Sequence, residues 1–446
     1  MENSYKAIWR LALPIMGASL AQNAVSLIDT LFLGLLGHVP LAAGGIGVVL
    51  FLTIGFIGLG IGTGVQVLAA QLLGAGQAAS LGTLLRQALW MSGVVGLGLT
   101  LLVWQGSPVL LPLLLRHEAT LTTTTTFLQG RSLELLPLML FGALRGYYSG
   151  TGQTTYIFQA NLLLALTNLA LNALFVLGLG WGLYGVILGS VLAQYVATIY
   201  LFARLAHQRY PLRQRVAGQW LKPLLRYAGP AVLQNLVGMT GWLVFFLLIE
   251  RRGPMALASA NIVRSLYSFV MLPAWAFSTA VGTLVGYFWG AIQPIPLKQA
   301  FYRTWHLTQG LNTLLALGLA LGAPILVSFF TPDTYIRQEA AQGLYMIAIS
   351  IFLMPTSALL LSAVVAMGLA IAAFVVEVAI ILLYVGYAVW LNSAGASLTW
   401  LWSAEWVYWI PSAVVLGWLA VRRLRYLRQN LLASPHAAGA TLAGVA

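Results

Sequence analysis

The chain has no cysteine and very little charge. Without cysteine, disulfides and thiolate metal sites are excluded. Charged residues make up 7% of the 446 positions, against about 25% in ordinary soluble domains. The five histidines (His38, His117, His207, His306 and His436) are scattered and mostly near loops. They assemble no nucleophile–base pair and no metal site, which argues against an intramembrane enzyme. No Walker A motif occurs, so nothing points to direct ATP coupling. The run GFIGLGIGTG at 55–64 has dinucleotide-like glycine spacing, but no strand precedes it and it lies inside an apolar span. It reads as small-residue helix contact.

What the chain does have is hydrophobicity, at 60%. Apolar runs of about 20 residues or more, each enough to cross the bilayer as a helix, recur throughout. Leu, Ala and Gly in unbroken runs favour helices over a barrel. The pattern predicts twelve spans, at 10–35, 41–72, 83–106, 122–147, 155–179, 182–206, 224–249, 255–289, 304–329, 338–364, 368–391 and 399–421. The first is too long in its apolar stretch for a cleavable signal peptide.

The net charge of +13 reflects topology. With both termini inside, sixteen Lys and Arg fall in inner segments and four (Arg116, Arg251, Arg252, Arg337) in outer loops. This positive-inside bias supports an even number of spans and attraction to anionic headgroups rather than nucleic-acid binding.

The chain is also one half written twice. A shift of 216 residues aligns Pro14 with Pro230, Gly37 with Gly253, Leu41 with Leu257 and Gly152 with Gly368. Over 11–80 it gives 16 identities in 70 positions without a gap. The expected architecture is all-α and polytopic: an amino-terminal six-helix lobe (1–206), a basic cytoplasmic linker (207–223), a carboxy-terminal six-helix lobe (224–425) and a disordered tail (426–446). Six is even, so the repeats run parallel, related by an axis along the membrane normal. Duplicated membrane halves of this kind characterise secondary transporters.

With only nine acids, each can be weighed. Glu2, Glu118, Asp333 and Glu339 lie in termini or loops. Glu405 lies among Trp400, Trp402, Trp406 and Trp409, the composition of an interfacial belt, and reads as bland. Asp29 lies deep in the first span, where a carboxylate costs at least ~2.5–3.5 kcal/mol. Such a group faces a cavity and takes up a proton or holds a cation. Gln22 lies two turns earlier on the same face. Asn168 and Asn172 share one helix face at i, i+4, a spacing that suits cation coordination and helix–helix hydrogen bonding equally. Glu134 has Arg131 three residues before it and reads as a local ion pair. Glu250 lies beside Arg251 and Arg252, with Arg264 as a partner for it or as a cavity cation. Glu377 aligns with Asn161 in the repeat and has even odds of lining the cavity.

The segments LALPIMGASLAQNAVSLIDTLFLGLLGHVPLAAGGIG, AAQLLGAGQ, LRGYYSGTGQTTYIFQANLLLALTNLALNALFVLGLG and GLYGVILGSVLAQ resemble the multidrug and toxic compound extrusion (MATE) family, and the resemblance spans 10–425. It implies a V-shaped antiporter in the plasma (inner) membrane, both termini cytoplasmic, exporting amphipathic organic cations against an inward proton or sodium gradient. It carries over Asp29 as the ion-coupling acid, Asn168, Asn172 and Ser190 as its neighbours, Pro14 as the first-span proline associated with helix bending and Gln22 as a cavity-lining amide. Glu377 and Arg264 are added to Pro14 and Gln22 as cavity candidates from their own positions. Asn172 stands where the family often has Asp, which favours H+ over Na+ at Asp29, Asn168 and Asn172. The repeat of SGTGQTT reads VAMGLAI at 365–371, and the acid some branches carry midway along the seventh span is missing. Coupling is therefore expected to rest on the amino-terminal lobe. No cofactor beyond the coupling ion, no nucleic-acid partner and a monomeric state are expected. The rivals are a sodium-coupled version and a lipid-linked precursor flippase, which would want more cavity cations than Arg131 and Arg264.

Overall fold

Apolar segments with no water around them satisfy their backbone internally, and here they do so as α-helix. The structure is a computed structural model and describes residues 1–115, 117–206 and 218–433. Its helices are α1 (Tyr5–Leu35), α2 (His38–Gly74), α3 (Leu81–Leu114), α4 (Glu118–Ser132), α5 (Leu135–Gly150), α6 (Thr154–Asn172) and α7 (Gly182–Ala206). They continue with α8 (Leu221–Glu250), α9 (Pro254–Gly290), α10 (Pro294–Ser328), α11 (Thr334–Ala366), α12 (Ala370–Ser393), the single turn α13 (Leu398–Leu401) and α14 (Ala404–Ala433). Arg116, residues 207–217 of the expected linker and 434–446 of the expected tail lie outside the described residues. Within the tail, 426–433 is helical, because the Arg- and Leu-rich stretch after Val421 consists of strong helix formers.

Among the described residues, eleven helical segments are long and apolar enough to cross a membrane. The expected span 122–147 is instead two helices, α4 and α5, interrupted at Leu133 and Glu134. Pro137 is one part of the cause: it has no N–H for the Leu133 carbonyl, and its ring crowds that carbonyl. The Ser132 carbonyl accepts a hydrogen bond from Thr100 Oγ1 at 3.0 Å instead.

The duplication is visible element by element. Helices α2 and α9 begin and end 216 residues apart, and α11 covers the same stretch of the repeat as α4 and α5 together. Gly37 and Gly253 precede α2 and α9 with φ of 112° and 106°, and Gly152 and Gly368 sit at 78° and 90°. These are left-handed positions that favour glycine. One pair breaks the rule: Gly76 has φ 72°, whereas its counterpart Ile292 holds φ 56° with a branched side chain.

By internal packing the chain forms two units, Leu13–Val232 and Met1–Ala12 with the chain from Leu233 onward. The changeovers fall inside α1 and α8, close to the repeat-related Pro14 and Pro230, rather than at 206 and 224. In the first unit, α2 and α5 approach through small residues. A Cβ on Gly146 would lie 2.1 Å from the Gly62 carbonyl oxygen, and one on Gly142 2.4 Å from that of Gly58. This is close small-xxx-small packing, and it accounts for the glycines at 55–64. The core of the second unit is more aromatic, with Phe245, Tyr267, Tyr384 and Trp402 packed among Ile347 and Leu344.

Candidate functional site

Asp29 is 2% exposed and lies in α1 within the first unit. Its Oδ1 accepts from Asn168 Nδ2 and Asn172 Nδ2, each at 3.0 Å, and from Ser190 Oγ at 2.9 Å. Oδ2 is 3.0 Å from the same hydroxyl and accepts from Arg131 Nη1 at 2.8 Å. The asparagines come from one face of α6, Ser190 from α7 and Arg131 from the last turn of α4. Gly189 makes room for this, since a Cβ there would sit 2.1 Å from Asn172 Oδ1. A charged carboxylate is thereby saturated with donors, which is how a buried ion is tolerated.

Arg131 is itself buried. Its guanidinium lies 4.8 Å from the Phe51 ring centre and 5.7 Å from that of Phe127. Its Nε is 2.9 Å from Glu134 Oε2, close enough for an ion pair but not aligned as a hydrogen bond. The α4–α5 break sets up this triad. It puts Arg131 at the carboxyl end of one half-helix and Glu134 at the amino end of the next, where each helix dipole favours the charge it meets. A second irregularity, the π-helical stretch Ala173–Gly178, begins directly after Asn172. Backbone irregularity of both kinds concentrates at functional sites.

The sequence-predicted residues divide. Asp29, Asn168, Asn172 and Ser190 come together. Gln22 is exposed, about 10 Å along α1 from Asp29, and takes no part in the cluster. Pro14 is half-buried. Asn161 bonds back to the Ile157 carbonyl of its own helix at 2.8 Å. Arg264 is exposed and lies 5.6 Å from the Phe246 ring, and it forms no ion pair with the exposed Glu250 among the described residues. Glu377 is buried in the second unit and accepts from Tyr408 Oη, with Gln234 as a further partner. Glu405 is 3% exposed, buried in the second unit rather than facing outward with a belt of tryptophans. The sequence reading missed Arg131 as the partner of Asp29. The available signal was an Arg and a Glu three apart inside an apolar span, followed by Pro137.

A duplicated all-helical architecture of long apolar helices, with a buried carboxylate saturated by donors beside the α4–α5 break, defines the class as a polytopic membrane protein. The MatE family model matches the chain twice, over residues 14–174 and 230–390, offset by the same 216 residues as the repeat. The chain is 27% identical over 448 residues to the probable multidrug resistance protein NorM of Synechococcus sp., covering 94% of each. It is 30% identical over 307 residues to that of Pseudomonas aeruginosa, covering 66% of this chain and 62% of the relative. The fold is similar to that of the Vibrio cholerae MATE transporter VcmN in the bent form, with a TM-score of 0.88 at 19% identity, covering 95% of this chain and 98% of that one. It is similar also to a MOP superfamily transporter from Pyrococcus furiosus, with a TM-score of 0.89 at 19% identity over 96% and 97%. The chain belongs to the MatE family of multidrug efflux transporters and is an integral membrane protein.

Proposed function

We propose that the protein exports amphipathic organic cations across the plasma membrane in exchange for protons, by alternating access, with Asp29, Arg131 and Glu134 as the coupling centre. The observation that carries the ion assignment is the 2.8 Å pair between Arg131 and Asp29. A desolvated sodium ion needs several hard oxygens, yet the groups turned to Asp29 are N–H and O–H donors and a permanent guanidinium cation. Two carboxylates and one Arg leave the triad one negative charge in excess, which a single proton neutralises. Protonation shifts the balance between inward-open and outward-open states only through its different cost in the two.

The names of the NorM relatives support a multidrug substrate range. Glu377 is the remaining candidate acid for substrate, with Pro14, Gln22 and the exposed Arg264 as further cavity residues. Of the two candidate cavity cations, Arg131 is already paired, which leaves Arg264 for a pyrophosphate and disfavours a lipid-linked precursor flippase. The protein works as a monomer with both termini in the cytoplasm and uses no cofactor. Transport in sodium-free proteoliposomes under an imposed pH gradient tests the reading. Export is expected without sodium and gains little from an inward sodium gradient. Export that vanished without sodium and returned with it would overturn proton coupling.

A further inference from the structure

The second unit has its own buried carboxylate, and the repeat puts it in a telling position. Under the 216-residue shift, Asp29, Arg131, Asn168, Asn172 and Ser190 become Phe245, Ile347, Tyr384, Ala388 and Trp406. The polar cluster is thus replaced by apolar and aromatic side chains. An acid returns one residue away: Glu405 is the counterpart of Gly189, the glycine packed against Asn172.

Glu405 lies in the first turn of α14, directly after the interruption at Trp402 and Ser403. Its Oε2 accepts from Tyr267 Oη at 3.0 Å and Trp409 Nε1 at 3.2 Å. The groups acting on it are Tyr267 from α9, Tyr384 from α12 and Trp409 from its own helix. Glu377 of α12 is reached through Tyr408, which stands edge-on to Trp409 with ring centres 4.5 Å apart. No Lys or Arg forms an ion pair with Glu405 among the described residues. The Tyr384 hydroxyl is buried without a well-formed hydrogen bond, yet it approaches Glu405. It suits either protonation state, as a third donor to the carboxylate or as an acceptor for the carboxyl O–H. A metal cation is poorly served here, because an indole N–H cannot coordinate one.

We infer that Glu405 is a second proton-exchange site, built into the second unit at the repeat-equivalent of the Asp29 site. The cycle then moves two protons per organic cation, one through each unit. This rests on the proton-coupled reading above.

Proteoliposomes held at zero voltage with potassium and valinomycin, with tetraphenylphosphonium as probe, test it through the accumulation ratio at equilibrium. With two protons per cation, a one-unit pH gradient supports about 100-fold accumulation, and with one proton about 10-fold. Wild type is expected near the first value, Glu405→Gln near the second and Glu405→Asp near the first. Equal ratios in wild type and Glu405→Gln, or a wild-type ratio near 10-fold, would overturn the inference. No accumulation by wild type would instead refute the proposed function. In that case, or if Glu405→Gln transports nothing, pH-difference infrared spectra of the purified proteins decide. Loss of one titrating carboxylic-acid band in Glu405→Gln supports the site, and unchanged spectra reject it.

Discussion

Arg131→Met separates the roles of charge and packing at the first-unit site. Methionine keeps an unbranched stem and removes the guanidinium, leaving Asp29 and Glu134 in one dry site with no cation. Breaking a buried ion pair by deleting one partner costs about 3–5 kcal/mol. The contacts of Arg131 with the Phe51 and Phe127 rings, at 4.8 and 5.7 Å, add about 0.5–2 kcal/mol. The total rivals the whole stability of many domains, about 5–15 kcal/mol. The variant should therefore express poorly and unfold at much lower denaturant. Adding Asp29→Asn and Glu134→Gln removes both orphaned charges and should recover about 2–3 kcal/mol of the loss, a coupling of the size expected between touching residues. Equilibrium unfolding in mixed detergent, followed by fluorescence of the fifteen tryptophans, reports it. An Arg131→Met protein within about 1 kcal/mol of wild type would refute the claim that this cation is what makes two buried carboxylates tolerable.

Asp29→Asn leaves Arg131 paired with Glu134 and should express well while losing gradient-driven export, because protonation at Asp29 is what drives the change between states and the Glu405 proton only adds to it; normal export would remove Asp29 from the coupling centre. Asn168→Ala and Asn172→Ala should impair coupled transport more than Asn161→Ala, whose amide bonds only its own helix, and equal effects in a vesicle assay would contradict this. Gly146→Ala drives a methyl to 2.1 Å from the Gly62 carbonyl oxygen and should cost about 1–3 kcal/mol, read as a lowered melting temperature. Ile292→Gly should raise it slightly. A left-handed branched residue costs about 1–2 kcal/mol, only partly offset by the about 0.5–1 kcal/mol entropic cost of glycine.

The spans and the repeat were legible because both are written in periodic, one-dimensional signals: apolar run length and a gapless shift. Asp29 was legible because an acid deep in an apolar run has few bland explanations, and Asn168 with Asn172 because i, i+4 spacing fixes a shared face. Arg131 was assigned to Glu134, as sequence proximity suggests. That pair is present at 2.9 Å, but Arg131 also donates to Asp29, 102 positions away, and sequence spacing cannot show a contact made only by packing between helices. Glu405 failed in the opposite direction. Four nearby tryptophans resemble an interfacial belt in sequence, but Trp402 and Trp409 are core residues, and Trp409 donates to the buried Glu405.

The two halves share a fold yet break different helices, and the residues say why. Proline alone does not break a helix here, since α11 runs unbroken through Pro355 and α1 through Pro14. In the first unit two features coincide: Pro137 withholds a donor, and Thr100 bonds the Ser132 carbonyl at 3.0 Å. Their repeat counterparts are Leu353 and Ala316, which offer neither, and α11 is continuous where α4 ends. Pro137→Leu with Thr100→Ala should therefore join α4 and α5 into one helix. A regular helix would keep Glu134 within about 60° of Arg131 on one face, so the pair could persist, but it would remove the two termini whose dipoles favour these charges. Stability should rise in the backbone and fall at the triad, so the informative readout is transport. Expressed double variant should show export uncoupled from the pH gradient, while either single variant keeps part of the coupling. Full coupling in the double variant would mean that the break is incidental to the site it flanks.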